Sequence, residues 1–399
     1  MSEFFINAPF LKKKPRFLVI LFGTLEYDGR VQRMISILNQ LGQVILVDVK
    51  KDEKNTSLDS TIFKEITRYS IKIPQKNGRI KRHLQLARAA IRVALMERPH
   101  IIVAEDFFTT MTGWLTSKMV HAELIYDAHE LIIPDLTQFM SWRDNFWYML
   151  EKWTVHRASL VIAANPERAQ LMTQHYKLKN PCEYMLNIPP LRTENVTIQE
   201  IERQYPALKR RYPEERIVLY QGYVSFDRGL NRFVEALTYL PLNYRMVVVG
   251  DGPDLEHLKA IAEEELQRGR FTVLGRVANH LLPAIIKYAD LGIVTYSYEG
   301  LNNIYCSPNK IFEYAQAGLP VVATDQPSLR SMVEGYGIGI LIRQDTPPQE
   351  VAKIIKQVVE RKIEYQYRLH KFVQAFRWED EANRVRERIK EVLVRRGLA

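Results

Sequence analysis

The sequence predicts an α/β protein made of two doubly wound parallel sheets, one after the other. Three observations carry that prediction. Apolar, β-branched runs of strand length alternate with stretches of helical apolar spacing, the pattern of βαβ units. The alternation breaks over the polar residues 191–213 and then restarts. At 399 residues, 46% hydrophobic and 26% charged, the chain is long enough for two domains and apolar enough to fill both cores.

In the first half, residues 17–23 read as a strand buried on both faces, TLEYDGR as the polar loop after it and 31–41 as a helix. Residues 43–49 read as a strand and 79–97 as a basic helix. Residues 100–106 and 123–130 read as strands ending in polar residues, and 160–165 as a further strand followed by a helix to about Tyr176. CEYMLNIP closes this half. The second half runs RIVLYQG (strand), 230–240 (helix), YRMVVVG (strand), 254–267 (helix), RFTVLG (strand), 280–288 (helix) and LGIVTY (strand). GIGILI is the last clear strand, and helices fill the remainder from about Gln349. The expected domains are 1–190 and 214–377, joined by a linker region at 191–213.

Composition narrows the class. The two cysteines, Cys182 and Cys306, lie far apart, which argues against a disulfide scaffold and for a reducing, cytoplasmic setting. No Cys or His spacing suits a metal, and no apolar run is long enough to span a membrane. Lys12-Lys13-Lys14 before FLVILFG mimics a secretion signal, but the apolar part is too short and no small-residue cleavage site follows. A net charge of +10 suits anionic partners: nucleic acid, acidic lipid or phosphorylated substrates.

The stretch the second half is organised around is SPNKIFEYAQAG, 307–318, between LGIVTY and LPVVATD. Ser307 is expected to cap a helix with Pro308 at its first position, and Gly318 to end it. Its N-terminus then emerges at the C-terminal edge of a parallel sheet, where such sheets bind ligands and helix N-termini bind phosphate. Lys310 adds a charge in the first turn. Glu313, three residues on, can accept from two ribose hydroxyls, or the two form only a surface pair. A dinucleotide fingerprint is missing: neither TLEYDGR nor GDGP fits GxGxxG.

These pieces together resemble a known family. YQGYVSFDRGLNRFVEAL, VVVGDGP, VLGRV, YADLGIVTY and SPNKIFEYAQAGLPVVATD stand in the order of the donor domain of a GT-B glycosyltransferase of the retaining family 4 type. LFGTLEYDGR, YDAHE and the LNIPP-like segment resemble its first domain. FRWEDEANRVRERI is similar to its final helix, which would return at about 378–399 to complete the N-terminal domain. The resemblance implies two Rossmann-like domains facing a central cleft, an acceptor-binding domain followed by a donor-binding one. It also implies transfer of a sugar from a nucleoside-diphosphate sugar (UDP or GDP) with retention, with no metal and no cofactor.

Under that resemblance Glu313 matches the second glutamate of the family's pair, which holds the ribose. The first glutamate's place, eight residues earlier, is taken by Tyr305, which puts the usual sugar contacts in question. Backbone around Ser307, Asn309 and Lys310 is expected at the diphosphate. Arg228 matches the base that neutralises the leaving group, the main source of catalysis when a sugar–phosphate bond breaks. A second base of the family falls near Tyr223, and Lys310 is expected to supply that charge. Gly222, Gly250 and Gly252 belong to the donor-binding loops, and Arg276 stands where the nucleotide base is held, by side chain or main chain. His129 matches a histidine that faces the donor sugar across the cleft, there to position hydroxyls or help the acceptor. Asp127 beside it is either a site acid or a packing acid. Gly23 and the loop through Asp28 to Arg30 match a flexible glycine-bearing loop near the phosphates and acceptor. Arg30 there either reads an acceptor phosphate or solvates a helix start. Asp106 and Glu105 end another strand at the same cleft, with a weaker claim to the acceptor. Cys306 reads as a spacer, since no base is placed to activate it.

For the acceptor, the aromatic run 138–153 and the basic helix 79–98 allow two readings. One is docking of the first domain on an anionic membrane surface, the inner face of the cytoplasmic membrane, with a lipid-linked glycan as acceptor in surface polysaccharide synthesis. The other is a packed core with a solvated basic face. Rival classes are a catalytically impaired scaffold (Tyr305), a nucleotide-sugar epimerase and a nucleic-acid binder; the basic clusters are too small and scattered to support the last.

Overall fold

The computed structural model describes residues 14–50, 65–73, 78–135, 140–191 and 196–398. Lys12, Lys13 and the start of the aromatic run at 138–139 lie outside them. The chain divides into two compact units: Met1–Ile132 with Ser141–Met185 and Ala382–Ala399, and Ile133–Met140 with Leu186–Glu381.

The first unit carries a parallel sheet in the order β3-β2-β1-β4-β5-β6-β7. Its strands are β1 (Arg16–Leu21), β2 (Gln43–Lys50), β3 (Thr67–Lys72), β4 (Ile101–Glu105), β5 (Glu123–Asp127), β6 (Leu160–Ala163) and β7 (Glu183–Tyr184). β1 is central: Val19 faces Leu46 of β2 on one side and Val103 of β4 on the other. Phe17 to Ile20 have no exposed surface, as a strand covered on both faces requires. The helices are α1 (Gly29–Asn39), α2 (Arg79–Glu97), α3 (Thr110–Val120), α4 (Trp142–Val155) and α5 (Pro166–Tyr176). β3 and α3 are absent from the sequence reading. β3 is a half-exposed edge strand, TRYSIK, with no apolar run to mark it, and α3 is poor in charge and buries threonines and a glycine.

The second unit has a parallel sheet in the order β10-β9-β8-β11-β12-β13. It is made of β8 (Arg216–Gln221), β9 (Tyr244–Val249), β10 (Phe271–Gly275), β11 (Leu291–Val294), β12 (Val321–Thr324) and β13 (Gly339–Ile342). Around it lie α6 (Ile198–Gln204), α7 (Asn231–Ala236), α8 (Leu255–Ile261), α9 (Glu263–Gln267), α10 (Leu282–Tyr288), α11 (Leu301–Ile304), α12 (Lys310–Gln316), α13 (Pro327–Tyr336), α14 (Pro348–Glu360) and α15 (Lys362–Ala375). In both sheets the strand order reverses beside the first strand, between β1 and β4 and between β8 and β11. That reversal is the topological switch point, at whose C-terminal edge doubly wound sheets bind ligands.

Of the stretch expected as a linker, residues 196–213 are built into the second unit. α6 has a Thr197–Glu200 capping box, and Ile201 and Leu208 are buried. The buried Arg245 guanidinium donates to the carbonyls of Ala207 (2.6 Å), Leu208 (2.8 Å) and Lys209 (3.1 Å). α16 (Trp378–Arg395) groups with the first unit from Ala382 onward. Its Arg384 donates to the Tyr184 carbonyl (2.5 Å), and its Arg388 pairs with Glu183 (3.0 Å).

Candidate functional site

In the second unit the residues singled out around Lys310 do converge. β8 ends at Gln221, whose amide N–H donates to the Tyr314 hydroxyl (3.2 Å) and whose side-chain amide donates to Glu313. Gly222 follows at φ +130°, and a Cβ there would lie 3.2 Å from Lys310 Nζ, so the lysine amine rests against this turn. Lys310 Nζ is 4.5 Å from the Tyr220 ring centre and 5.6 Å from that of Tyr296, while the Arg228 guanidinium lies 4.2 Å over the same Tyr296 ring. Thr295 hydroxyl donates to the Arg228 carbonyl (2.5 Å) and ties the turn carrying Arg228 to the end of β11.

Lys310 is buried and Arg228 half-buried. Among the described residues neither forms an ion pair with a carboxylate; they share the Tyr296 face, and Lys310 lies over Tyr220 as well. Burial, with Arg228 adding repulsion, pulls the Lys310 amine from its ordinary 10.5 down to about 7. Two cations side by side, neither ion-paired with a carboxylate among the described residues, make an arrangement that an anion would complete.

The helix here begins later than expected. Its N-cap is Asn309, whose side chain makes no capping bond, and Lys310 is the first helical residue; Ser307 and Pro308 belong to the preceding loop. Pro308 fixes only a loop turn, and the helix is seven residues long, so its dipole is small. The positive potential comes from Lys310 and Arg228. The simple surface pair of Lys310 with Glu313 does not form: the lysine is 8% exposed and turned to the tyrosines, and the glutamate is held by Gln221.

Other expectations separate. Gly250, at φ +137°, has no room for a Cβ, which would lie 1.9 Å from the Gly222 carbonyl oxygen. Gly252 meets the Val224 carbonyl at 2.0 Å in the same sense. These glycines let the loops after β8 and β9 press backbone to backbone, which accounts for them without any ligand. Arg276 is 83% exposed and only 3.5 Å from the exposed Asp251, a surface pair. Tyr305 follows α11 and is half-buried, as is Ser307, while Asn309 is exposed. Tyr296 also lines a groove of about 450 Å³, with Phe226, Asp227, Arg232, Glu299 and Asp345 among others. It includes neither Lys310 nor Glu313, and its acidic rim suits a polyphosphate poorly.

In the first unit the site residues gather at the ends of β1, β4 and β5. Asp28 is the N-cap of α1, its Oδ1 accepting the N–H groups of Arg30 and Val31 (3.1 Å each). Arg30 is 5% exposed and spends its guanidinium inward: Nε and Nη2 donate to both oxygens of Asp127 (2.5–3.1 Å), Nη1 to the Met185 carbonyl (2.6 Å) and Nη2 to that of Ala163 (3.1 Å). Neither reading of Arg30, phosphate reader or solvated helix start, survives this. A buried guanidinium with its donors paired is a staple between α1 and the ends of β5, β6 and β7. Asp127, fully buried, is its counter-ion. Burial would raise that carboxyl, but Arg30 and His129 hold it at about 2.

His129 Nε2 lies 2.9 Å from Glu105 Oε2 and 3.6 Å from Asp127, and its Nδ1 is 3.8 Å from Asp28 Oδ2. Burial favours a neutral Glu105 and a neutral His129, yet Asp127, Glu105 and Asp106 together hold the imidazole proton well above the ordinary range. Asp106 has φ 63° and ψ 164°, a region close to glycine-only, a buried Oδ1 with no partner, and a carboxyl pushed up to about 6 by burial. Gly23, by contrast, has an ordinary φ and open room for a Cβ (3.5 Å from Leu21), so nothing in its backbone calls for glycine. Glu105, Asp127 and His129 place donor atoms within 4.8 Å of one another, but Arg30 already lies on both Asp127 oxygens, and a divalent ion would sit beside that charge. The set fits a hydrogen-bonded network better than a metal.

Sequence reasoning missed Gln221, Tyr220, Tyr296 and Thr295, and it ranked Glu105 low. Their signal was position alone: each lies at the last or next residues of a strand adjoining a switch point. Cys306 is buried with its sulfur 3.7 Å from Ser328 Oγ, a packed residue as expected.

Comparison with known proteins agrees with this architecture. Residues 202–375 match the family described as glycosyl transferases group 1, and residues 64–181 match the glycosyl transferase 4-like domain. A 2-deoxystreptamine glucosyltransferase of Streptomyces kanamyceticus is 22% identical over 218 residues, 53% of this chain and 54% of that protein. This chain thus spans about half the length of that curated relative. Anabaena HepE, solved with UDP and glucose, superposes with a TM-score of 0.72 at 17% identity, covering 94% of this chain and 100% of the other. WaaG, a glycosyltransferase involved in lipopolysaccharide biosynthesis, superposes at 0.66 with 13% identity, covering 93% and 98%. With two family matches along one chain and the same two-sheet fold in both solved structures, the protein belongs to the group 1, family 4-type glycosyltransferases of the GT-B fold.

Proposed function

We propose that the protein transfers a sugar from a nucleoside-diphosphate sugar to a glycan acceptor, with retention and without a metal ion. The observation that carries this is the pair Arg228 and Lys310 against Tyr296, two cations that among the described residues form no ion pair with a carboxylate, beside Glu313 at the end of β8. A diphosphate supplies the missing negative charge, and its leaving-group charge is what the pair stabilises as the sugar–phosphate bond breaks. Lys310 takes the part of the base that Tyr223 does not supply. Glu313, with Gln221 fixing one carboxylate oxygen, is the ribose acceptor. UDP is the first nucleotide to try, because HepE was solved with it.

For the acceptor, the favoured reading is a lipid-linked glycan met at an anionic membrane surface. α2, α3 and α4 are neighbours, and their exposed side chains include Leu84, Leu95, Met96, Leu115, Met119, Trp142, Phe146 and Met149. Exposed bases Lys81, Arg88, Arg92, Lys118, Arg143 and Lys152 lie among them. No helix of the described residues is long and apolar enough to cross a membrane.

Thermal unfolding with UDP, GDP, ADP, dTDP and CMP, for wild type and Glu313→Ala, tests the donor reading. A ligand at a hundredfold excess over its Kd stabilises by about 2.7 kcal/mol. One nucleoside diphosphate should raise the unfolding temperature of the wild type and much less that of the variant. If none does, the scaffold reading takes its place.

A further inference from the structure

The groove that Tyr296 lines lies wholly within the second unit. Four segments wall it: the turn after β8, the start of α7, the loop after β11 and the loop from β13 into α14. Its volume of about 450 Å³ falls within the range of small-ligand sites, about 300–1,000 Å³. The walls are held from behind. Gln326, fully buried, donates its side-chain amide to the carbonyls of Tyr296 (2.9 Å) and Ser297 (3.3 Å). The Ser297 hydroxyl accepts the Glu299 N–H (3.0 Å). In the turn after β8, the Phe226 N–H donates to Asp254 (2.7 Å) and its ring tilts against His257, centres 4.4 Å apart, yet the residue is 52% exposed.

Arg232 is the buried cation of the groove. It is 7% exposed, and its Nη1 donates to the carbonyls of Arg343 (2.9 Å) and Gln344 (2.6 Å), which holds the loop into α14. Nη2 meets the Thr295 hydroxyl at 3.5 Å, long for a hydrogen bond, and Nε is buried without a partner. Among the described residues this guanidinium forms no ion pair with a carboxylate.

The chemistry of the ligand follows from what these walls can take. An anion would meet four carboxylates, Asp227, Glu235, Glu299 and Asp345, against one guanidinium. A metal ion needs ligand atoms that converge. Among the described residues Glu105, Asp127 and His129 are the one set of three that does, and they lie in the first unit. A polyamine would set its charge beside Arg232, which has no carboxylate paired to it. A lipid tail would strip water from the carboxylates and give nothing back. A hydroxyl satisfies both kinds of group, donating to a carboxylate and accepting from an N–H. Glu235 and Glu299 are exposed acceptors with no ion pair among the described residues, and Arg232 and the Asn231 amide are donors. The rings of Phe226 and Tyr296 offer apolar faces to the C–H side of a sugar.

We propose that this groove binds a neutral saccharide, in a site separate from that of the diphosphate, with Phe226 and Tyr296 against the sugar ring and Glu235, Glu299 and Arg232 on its hydroxyls. The groove contains neither Lys310 nor Glu313, so its occupancy is independent of the donor reading.

The full chain is titrated with maltose, cellobiose and diacetylchitobiose, and separately with uridine, spermidine and inorganic phosphate, by calorimetry and saturation-transfer NMR. At least one disaccharide should bind. Phe226→Ala and Glu299→Gln, both at exposed side chains, should each weaken it about tenfold and leave UDP within about twofold. Lys310→Met should do the reverse, weakening UDP and leaving the disaccharide within about twofold. Saturating UDP should not displace the sugar. Binding of none of the three disaccharides overturns the proposal, as does binding that both groove variants leave unchanged or that UDP displaces. Uridine, spermidine or phosphate bound in place of a disaccharide, and lost in Phe226→Ala or Glu299→Gln, refutes the saccharide assignment. If UDP fails to bind the wild type, the donor reading falls, while the disaccharide titrations of wild type and the two groove variants still decide the groove.

Discussion

Lys310 is held in the folded state at a cost, and removing its charge should show this directly. In Lys310→Met the stem is kept and the ammonium lost. Burial and the neighbouring Arg228 draw the amine from 10.5 to about 7. At about 1.36 kcal/mol per pH unit, that corresponds to roughly 5 kcal/mol against the folded state wherever the unfolded chain keeps its lysine charged. The sign follows from linkage. This is a base whose folded value is depressed, so between about 7 and 10.5 the unfolded chain binds more protons and stability rises with pH. The cost is full at and below pH 7 and fades toward pH 10. Replacing a buried charge with an apolar side chain of similar length commonly recovers about 1–4 kcal/mol. Lys310→Met should therefore be more stable than wild type by about 2–4 kcal/mol at pH 7 and nearly equal to it near pH 10. The same change removes one charged contact to the diphosphate and should weaken UDP by about tenfold to a hundredfold. Guanidinium unfolding at pH 7 and pH 9.5, with UDP calorimetry on the same samples, measures both. A variant less stable than wild type at pH 7, or a difference equal at both pH values, would refute the idea of an unpaired, depressed lysine.

Further outcomes follow from the same geometry. UDP binding should return Lys310 toward its ordinary range and so take up a fraction of a proton near pH 7.5; calorimetry in two buffers of different ionisation heat should show it, and Lys310→Met should abolish it. Asp127→Ala leaves Arg30 buried and unpaired and should cost about 3–5 kcal/mol. Because the folded Asp127 carboxyl sits at about 2, below its unfolded range, this stabilisation is full above about pH 4 and is lost only as pH falls toward 2, which acid unfolding of wild type against Asp127→Asn will show. Gly250→Ala forces a Cβ to 1.9 Å from the Gly222 carbonyl at a positive φ and should destabilise by roughly 3 kcal/mol or more in chemical unfolding. Trp142→Ala with Phe146→Ala should release the protein from phosphatidylglycerol vesicles in flotation while leaving UDP affinity unchanged; equal flotation of wild type and variant would remove the membrane reading.

Much was legible before any coordinates, and for a physical reason. Strands buried on both faces, such as Phe17 to Ile20, must be apolar throughout, and turns at sheet edges need glycine and polar residues, so the doubly wound order follows from local pattern. The SPNK–FEY stretch marked the place where Lys310 and Glu313 meet the end of β8. What local pattern does not contain is which charges find each other. Arg30 and Asp127 are 97 residues apart, and each alone reads as a site residue; only the sheet, by bringing the start of α1 over the end of β5, turns them into a buried pair with no donor left for a phosphate. Glu105 ranked low as one of two acids at a strand end. The alternation of side chains along β4 sends it inward, where its carboxylate meets His129, while Asp106 takes a near-glycine conformation beside it. Lys310 and Glu313, three apart on a helix, read as a natural pair. The tertiary structure gives each a nearer partner, tyrosine faces for one and Gln221 for the other, because burial rewards contacts across elements over those along one. Sequence by itself determined the fold, the family and the edges where chemistry sits; the packing of distant strands decided which of the charged residues at those edges are spent on structure and which are left for a ligand.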